Sequence, residues 1–517
     1  MKYFCTLFGI LAGLCLAAGD FAAFLESASP ATVIVIDQPM EVAAAVTIPA
    51  GVTVNFQNNG KLIRQAEGAL LVRGAIQAPP GRIFENFDDG QVNFSESSQL
   101  EVYPQWWGAR GDGRHDDSAA LQAAIRSGTR RVAVPPGRYL VTRTLNGTDL
   151  NSPPLTISGA GNGLNSNCKL LAQTGGVLLD VTGSPNITIE SLTIQGDGPT
   201  ASTTGILFAR SENNKFVEFS QLRDLTIQLP PLPEANHGVG TIGIYLIATE
   251  LWRANNIVVI ADNAVVMTAT DLYNIQSAAT KFFTEYTSTS QIAIDGASSL
   301  IGRHGPALTV ANLAGLSVND VYFNRWDGDE NSYPFAVKVI GMVHRFNLTG
   351  HLEGYRRLLN VQGIVEDMNL HFTAWRVNAA DLSWIELNGT TGNVAAIRNS
   401  RITAKSYNSA DDRPHPLISS RGDHIGGLSD CEIQLYRHQS LEVDGGRITG
   451  NVIKADFAAP NLKLTPSEGL LSYQLFDTRG ITFAGPVFTT STAAASPAGS
   501  QPAAAKTPDL FGGTPSQ

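Results

Sequence analysis

Val46-Thr47-Ile48-Pro49-Ala50-Gly51 returns eighty-odd residues later as Val132-Ala133-Val134-Pro135-Pro136-Gly137. Each copy is a short β-branched run closed by proline and glycine, which reads as a strand ending in a turn. Weaker echoes share one frame: alternating apolar pairs at Leu192/Ile194, Leu225/Ile227, Ile257/Val259, Ile292/Ile294, Val321/Phe323, Leu348/Gly350, Leu370/Phe372, Ile402/Ala404 and Cys431/Ile433. Several follow an Asn or Asp, as in Arg223-Asp224, Asn255-Asn256, Asn319-Asp320 and Ser429-Asp430. The intervals, about 22 to 35 residues, suit a solenoid in which each repeat is one coil. Parallel strands about 4.8 Å apart, stacked in roughly ten coils, predict a column on the order of 50 Å long. A β-sandwich also uses short strands and regular turns, but the period argues against it.

Composition agrees with one long core. A chain of 517 residues exceeds the size at which a globular core keeps growing, so it forms several domains or one elongated repeat structure. Charged residues are 16%, and Gly 50 with Pro 26 disfavours long charged helices. The net charge of -10 offers no global attraction to nucleic acid or an anionic membrane.

Four segments are expected. Residues 1–19 read as a signal peptide, with Lys2 before an apolar run and Ala17-Ala18-Gly19 as a small-residue cleavage site. An uncleaved anchor is the alternative, since the run can continue from Phe21 to Leu25. Residues 20–101 form a β-rich N-terminal segment, 102–488 the repeat domain, and 489–517 a flexible Ala/Ser/Pro/Thr-rich tail. No later segment has the continuous apolar length of a membrane helix. Secretion, or a periplasmic or cell-surface location, follows. Cys5 and Cys15 lie in the signal, leaving Cys168 and Cys431 as expected buried free thiols, with one long-range disulfide as the alternative.

One helix is expected, from Ser118 to Ser127, with Asp117 as its N-cap and Leu121, Ala124 and Ile125 on its apolar face. Before and around it runs Tyr103-Pro104-Gln105-Trp106-Trp107-Gly108-Ala109-Arg110-Gly111-Asp112-Gly113-Arg114-His115-Asp116-Asp117-Ser118, then Ala119-Ala120-Leu121-Gln122-Ala123-Ala124-Ile125 and Val134-Pro135-Pro136-Gly137-Arg138-Tyr139. This resembles the start of the pectate-lyase superfamily β-helix module found in rhamnogalacturonase-like, epimerase-like and polygalacturonase-related proteins and in phage tailspikes. The resemblance implies an all-β, right-handed parallel β-helix capped by the helix, and an association with polysaccharides. It also implies a monomer, as for secreted pectin-type enzymes, or a homotrimer, as for tailspikes. The Asn-Thr-Asp and Gly-His-Gly signatures of polygalacturonases and the Asp-Pro-His motif of mannuronan epimerases are absent, so neither activity carries over. Gly111-Asp112-Gly113 is a tight-turn sequence, and Asp116-Asp117 are expected to be structural.

Chemistry-bearing residues gather around positions 320 to 380. With Val321/Phe323, Leu348/Gly350 and Leu370/Phe372 inward, alternation places Tyr322, Thr349 and His371 in one outward row and Asn324, His351 and Thr373 in the next. Asp327, Asp329, Trp326 and Arg325 follow the first strand, Glu353, Tyr355 and Arg356 the second, and Trp375 and Arg376 the third. Hydrolysis needs two carboxylates, which Glu353 with Asp327 or Asp329 can supply. Elimination from a polyuronate would instead use His351 or Tyr355 as base, with Arg325 or Arg356 neutralising the uronate. Tyr322, His371, Trp326, Trp375 and Arg376 are expected to line the sugar. The denser carboxylates favour hydrolysis, and a non-catalytic adhesin or spike using the same face is the rival. No cofactor is expected, and no metal-ligand spacing occurs.

Overall fold

The computed structural model describes residues 20–26, 32–150, 154–196, 201–211, 217–231, 240–269, 289–325, 333–375, 383–406, 415–436, 439–457, 460–467, 471–476 and 482–484. The expected signal peptide and Ala/Ser/Pro/Thr-rich tail lie outside them.

Each short β-branched run forms a strand, and each turn sequence makes a corner. Residues 33–93 wind through three three-stranded parallel sheets. Val33–Ile36, Pro39–Val42 and Ala45–Ile48 lie under Thr53–Phe56, Lys61–Arg64 and Ala69–Val72, and alternate residues are buried. The Pro49-Ala50-Gly51 echo is one such corner, with Gly51 at φ 82. Gly60 lies where one coil crosses the next, and any side chain there would collide with the Ile36 carbonyl. Phe21 and Leu25, in the helix Phe21–Glu26, are buried in the same core, so the apolar stretch from Phe21 to Leu25 belongs to the folded body.

A fourth sheet, of 32 strands, follows, parallel throughout except for the pairing of Tyr473–Phe476 with Thr482–Ala484. One row of paired residues runs from Glu101 through Arg131, Thr156, Thr188, Gln221, Arg253, Ala293, Ser317, Asn347, Asn369, Arg401, Glu432 and Val452 to Gln474. At about 4.8 Å per strand the row is about 60 Å long. It exceeds the ten-coil estimate because the stack begins before the first apolar pair, at Glu101, Arg131 and Thr156, and continues past the last, at Val452 and Gln474. This is the parallel β-helix predicted by the repeat. Its interior is a continuous aliphatic column, to which Leu192, Ile194, Leu225, Ile227, Ile257, Val259, Ile402 and Ile433 contribute. Among the described residues no helix is long and apolar enough to cross a membrane.

The Asn and Asp residues that precede apolar pairs have a geometric task. Asp224, Asn256, Asp320 and Asp430 have φ of 49, 52, 55 and 56. They are the left-handed residues at which the chain bends from one face to the next, a conformation that short polar side chains tolerate best after glycine. Asn256 Nδ2 also donates to Asp224 Oδ1 of the preceding coil at 2.6 Å.

The capping helix spans Ser118–Ile125, two residues shorter than expected. Asp117 occupies the N-cap position without making the expected side-chain cap. Its buried carboxylate instead accepts the N–H groups of Arg110 at 2.7 Å and Gly111 at 3.1 Å, tying the glycine turn down. Asp116 accepts the Ser118 N–H at 3.0 Å in its place. Cys168 and Cys431 are free and buried, and burial pushes the Cys431 thiol up to about 11.

On one face the outward positions are covered as well. Lys338, Asn360 and Glu386 are successive partners in a row there, and Arg357 pairs with Glu386 in a nearly dry setting. Burial holds the Lys338 ammonium below its ordinary pKa, with the Tyr333 ring 6.0 Å from its Nζ.

Candidate functional site

The strands Leu308–Asn324, Phe335–Glu353 and Asn369–Trp375 stack in register. Val321, Phe323, Leu348, Leu352, Leu370 and Phe372 point into the core. The outward rows differ from those expected. Val321 pairs with Gly350, and Leu348 pairs with Val318, because the register shifts between Val318 and Val321. Tyr322 therefore shares a row with His351 and Thr373, while Thr349 pairs with His371. Asn324, Glu353 and Trp375 form the next row. Beyond the irregularity, the alignment of Val321 with Gly350 lies two residues from the expected one with Leu348, and an even displacement preserves which side chains face out and changes only their neighbours.

This regrouping brings expected site residues together. The Tyr322 hydroxyl donates to Glu353 Oε2, and the Tyr322 and His351 rings lie 6.2 Å apart. His351 Nδ1 shares a hydrogen bond with Thr373 Oγ1, which fixes the imidazole on an exposed part of the face. His371 is exposed one row away, and Arg356 is half-buried at the edge.

Two residues leave the candidate list. Tyr355 is 0% exposed, and its hydroxyl accepts the Gly302 N–H at 2.9 Å and donates to the Gly302 carbonyl at 3.0 Å. Arg325 is 8% exposed, donates to the carbonyls of Tyr333 and Arg303, and lies over the Tyr355 ring. Both staple adjoining turns and neither is presented to a substrate. They follow the strands at the edge, as expected, but their polar atoms turn inward to satisfy buried backbone. Trp326, Asp327, Asp329 and Arg376 lie outside the described residues, as does the side chain of Trp375.

One pair escaped the sequence reading. Asp262, 3% exposed, holds His304 Nδ1 at 2.6 Å through Oδ1, while its Oδ2 accepts the Thr241 N–H at 2.8 Å. Its only signal was Asp262-Asn263 closing a strand and His304 in the turn one coil later, 42 residues on. Among the described residues no group of three or more His, Cys, Asp or Glu is placed to hold a metal.

The recognised segment sits where the capping helix meets the first coils, and residues 106–186 match the family described as rhamnogalacturonase A/epimerase, pectate lyase-like. Over that stretch the parallel β-helix is similar to a pectate-lyase-like family. The matched stretch of the β-helix runs from Trp106 to Asn186 and ends well before Tyr322 and Glu353. Among solved structures the β-helix is similar to an alginate lyase from Paenibacillus, at 13% identity and TM-score 0.36, covering 63% of this chain and 98% of that one. It is also similar to the A-module of the mannuronan C-5 epimerase AlgE6 of Azotobacter vinelandii, at 16% identity and TM-score 0.39, covering 71% and 100%. A third is the surface adhesin PfbA of Streptococcus pneumoniae, at 11% identity and TM-score 0.36, covering 73% and 100%. No curated protein matches the sequence.

Proposed function

We propose that this β-helix is exported and binds a polysaccharide along the face of Tyr322, His351 and His371, cleaving it by hydrolysis at Glu353. The observation that carries the reading is the Tyr322–Glu353 hydrogen bond beside an exposed, anchored imidazole. A carboxylate held by a phenol is oriented to take a proton from water or to attack the anomeric carbon, and hydrolysis pairs it with a second group that protonates the leaving oxygen. Asp327 and Asp329 are the first carboxylates to follow Asn324, the register partner of Glu353, in the sequence. Aromatic rings give a sugar chain flat apolar surface; Arg356 stands at this edge, and Trp326, Trp375 and Arg376, which follow the strands in sequence, would extend it. The signal-like residues 1–19 support export to the secreted, periplasmic or surface space.

Elimination from a polyuronate is a second reading, favoured by Tyr322 and His351 standing side by side as candidate bases. One experiment separates them. The purified protein is incubated with neutral and uronate-rich polysaccharides while reducing ends and the ultraviolet absorbance of unsaturated uronates are followed. New ends without absorbance, abolished by Glu353→Gln, are expected. Absorbance would transfer the assignment to elimination, and sugar binding without either product would make the protein an adhesin or spike. Mass in solution distinguishes the monomer expected of an enzyme from a trimeric spike.

A further inference from the structure

We propose that His304, rather than Asp327 or Asp329, is the proton donor of the cleavage site, positioned by the buried carboxylate of Asp262. The inference rests on the reading of the Glu353 edge as the place where a sugar chain is cut. Asp262 is anchored from both sides: its Oδ2 accepts the N–H and hydroxyl of Thr241, and its own N–H donates to Thr241 Oγ1 at 3.0 Å. Oδ1 fixes His304 Nδ1 at 2.6 Å, yet the His304 side chain is 46% exposed. Nε2 is thus the nitrogen left for a ligand, and it has no hydrogen-bond partner among the described residues. A buried carboxylate orienting an exposed imidazole is how proteins hold one tautomer ready for proton transfer.

The turn that carries His304 belongs to the same edge as Glu353. The Arg325 guanidinium donates to the Arg303 carbonyl at 3.1 Å, and the Arg325 backbone N–H donates to the Glu353 carbonyl at 3.1 Å, so one residue joins the two turns directly. The Tyr355 hydroxyl adds a second link through Gly302. The strands ending at Gly302 and Glu353 are separated by one intervening strand, so two strand spacings, about 10 Å, lie between them. Inverting hydrolysis admits a water between acid and base roughly 6.5–9.5 Å apart, a gap that side chains leaning from these two strand ends toward the intervening strand would span, as Glu353 leans toward Tyr322. Among the described residues, charged groups near the imidazole besides Asp262 include Arg303 beside it in the chain and Arg325, whose guanidinium donates to the Arg303 carbonyl, and the Tyr333 N–H donates to the His304 carbonyl.

In the step, the glycosidic C–O bond breaks with its electron pair on the leaving oxygen, which takes the proton from Nε2 of the doubly protonated His304 imidazole and leaves the neutral ring with its Nδ1–H on Asp262. Water attacks the anomeric carbon from the opposite side and gives its proton to Glu353. One water is consumed, and His304 regains a proton from solvent as Glu353 releases one.

The test compares the full chain with His304→Gln, Asp262→Asn, Asp327→Asn, Asp329→Asn and Glu353→Gln. Oligosaccharide binding by calorimetry, melting temperature and the pH dependence of kcat/KM are measured for each. His304→Gln is expected to bind within about threefold of wild type while kcat falls by about 10²–10⁴. It should lose the alkaline limb of the profile and keep its rate on an aryl glycoside whose leaving group needs no proton. Asp262→Asn should displace that limb; should this variant fail to fold, the aryl-glycoside result for His304→Gln decides alone. Wild-type turnover by His304→Gln with Glu353→Gln dead overturns the His304 assignment and leaves the site reading standing. A dead His304→Gln with Glu353→Gln active overturns the Glu353 reading alone. Binding without cleavage by the wild-type chain overturns both.

Discussion

Replacing Tyr355 with Phe removes one oxygen and leaves the rest of the edge in place. The ring stays packed, its contact with the Arg325 guanidinium at 5.7 Å survives, and no cavity larger than the hydroxyl opens. What is lost is the pair of hydrogen bonds to Gly302, at 2.9 and 3.0 Å. Because Tyr355 is fully buried, water does not replace them, and a stranded buried donor or acceptor costs about 1–3 kcal/mol. A loss of about 2 kcal/mol corresponds to a roughly 30-fold change in an equilibrium constant. In a solenoid each coil contacts only its neighbours, so the loss should be local. Amide hydrogen exchange at Gly302 is the matching assay: its protection should fall by about that factor, while amides near the capping helix keep theirs. Turnover, where the wild-type chain has it, should be little changed. Unaltered protection at Gly302 together with a large fall in turnover would refute the reasoning and return Tyr355 to the role of base.

Three further outcomes follow from burial and backbone geometry. Burial depresses the Lys338 pKa, so the folded state binds that proton less tightly than the unfolded state, and the charged form opposes folding at every pH below the folded pKa. Lys338→Met should therefore stabilise the protein at pH 7 in urea titrations, with the gain vanishing as pH rises past about 10.5; a gain that persists there would contradict this. The Cys431 thiol, raised to about 11 by burial, stays protonated at neutral pH and should react with an aromatic disulfide only on unfolding. Since its folded pKa lies above the unfolded value, its contribution to stability is complete below about pH 8.5 and is lost as pH passes 11. Asn256→Ala should cost about 1–2 kcal/mol in urea unfolding, for the left-handed φ of 52 and the lost bond to Asp224, whereas Asn256→Gly should cost less; equal losses would point to the bond rather than the backbone.

The fold is readable because a solenoid repeats its physics. Inward positions must be apolar in every coil, and the bend between faces needs a residue that tolerates positive φ, so apolar pairs preceded by Asn or Asp mark the frame. Register along the stack is harder to read. Leu316/Val318 and Val321/Phe323 are both inward pairs of one continuous strand, on either side of the bend at Asp320. Sequence alone does not say which pair faces Leu348, because a shift of two residues keeps every apolar side chain inside. The expected rows consequently have the right orientation and the right Thr349–His371 and His351–Thr373 pairs, while Tyr322 and Asn324 stand two places from their expected partners. Tyr355 and Arg325 fail for a different reason: a polar residue just beyond a strand reads as exposed, and nothing local announces that the Gly302, Arg303 and Tyr333 backbone groups need partners.

Stacking also limits what clustering can mean. Parallel coils place side chains of one row about 4.8 Å apart, so polar ladders arise wherever outward positions are polar. Asn319, Asn347 and Asn369 form one such ladder, and Glu366 gathers His344 and Arg398 in another. Neither has a feature that ties it to chemistry, since their hydrogen bonds simply satisfy one another along the surface. Density of His, Arg and carboxylates is therefore a weak guide in this architecture. Anchoring is more selective. At Asp262–His304 a buried acceptor fixes one end of an exposed imidazole, and at Tyr322–Glu353 a phenol orients a carboxylate beside another exposed imidazole. A ladder needs only its neighbours, whereas Asp262 commits buried hydrogen bonds to holding one imidazole outward, and that asymmetry makes Asp262–His304 the first pair to mutate, with Tyr322–Glu353 beside it as the second.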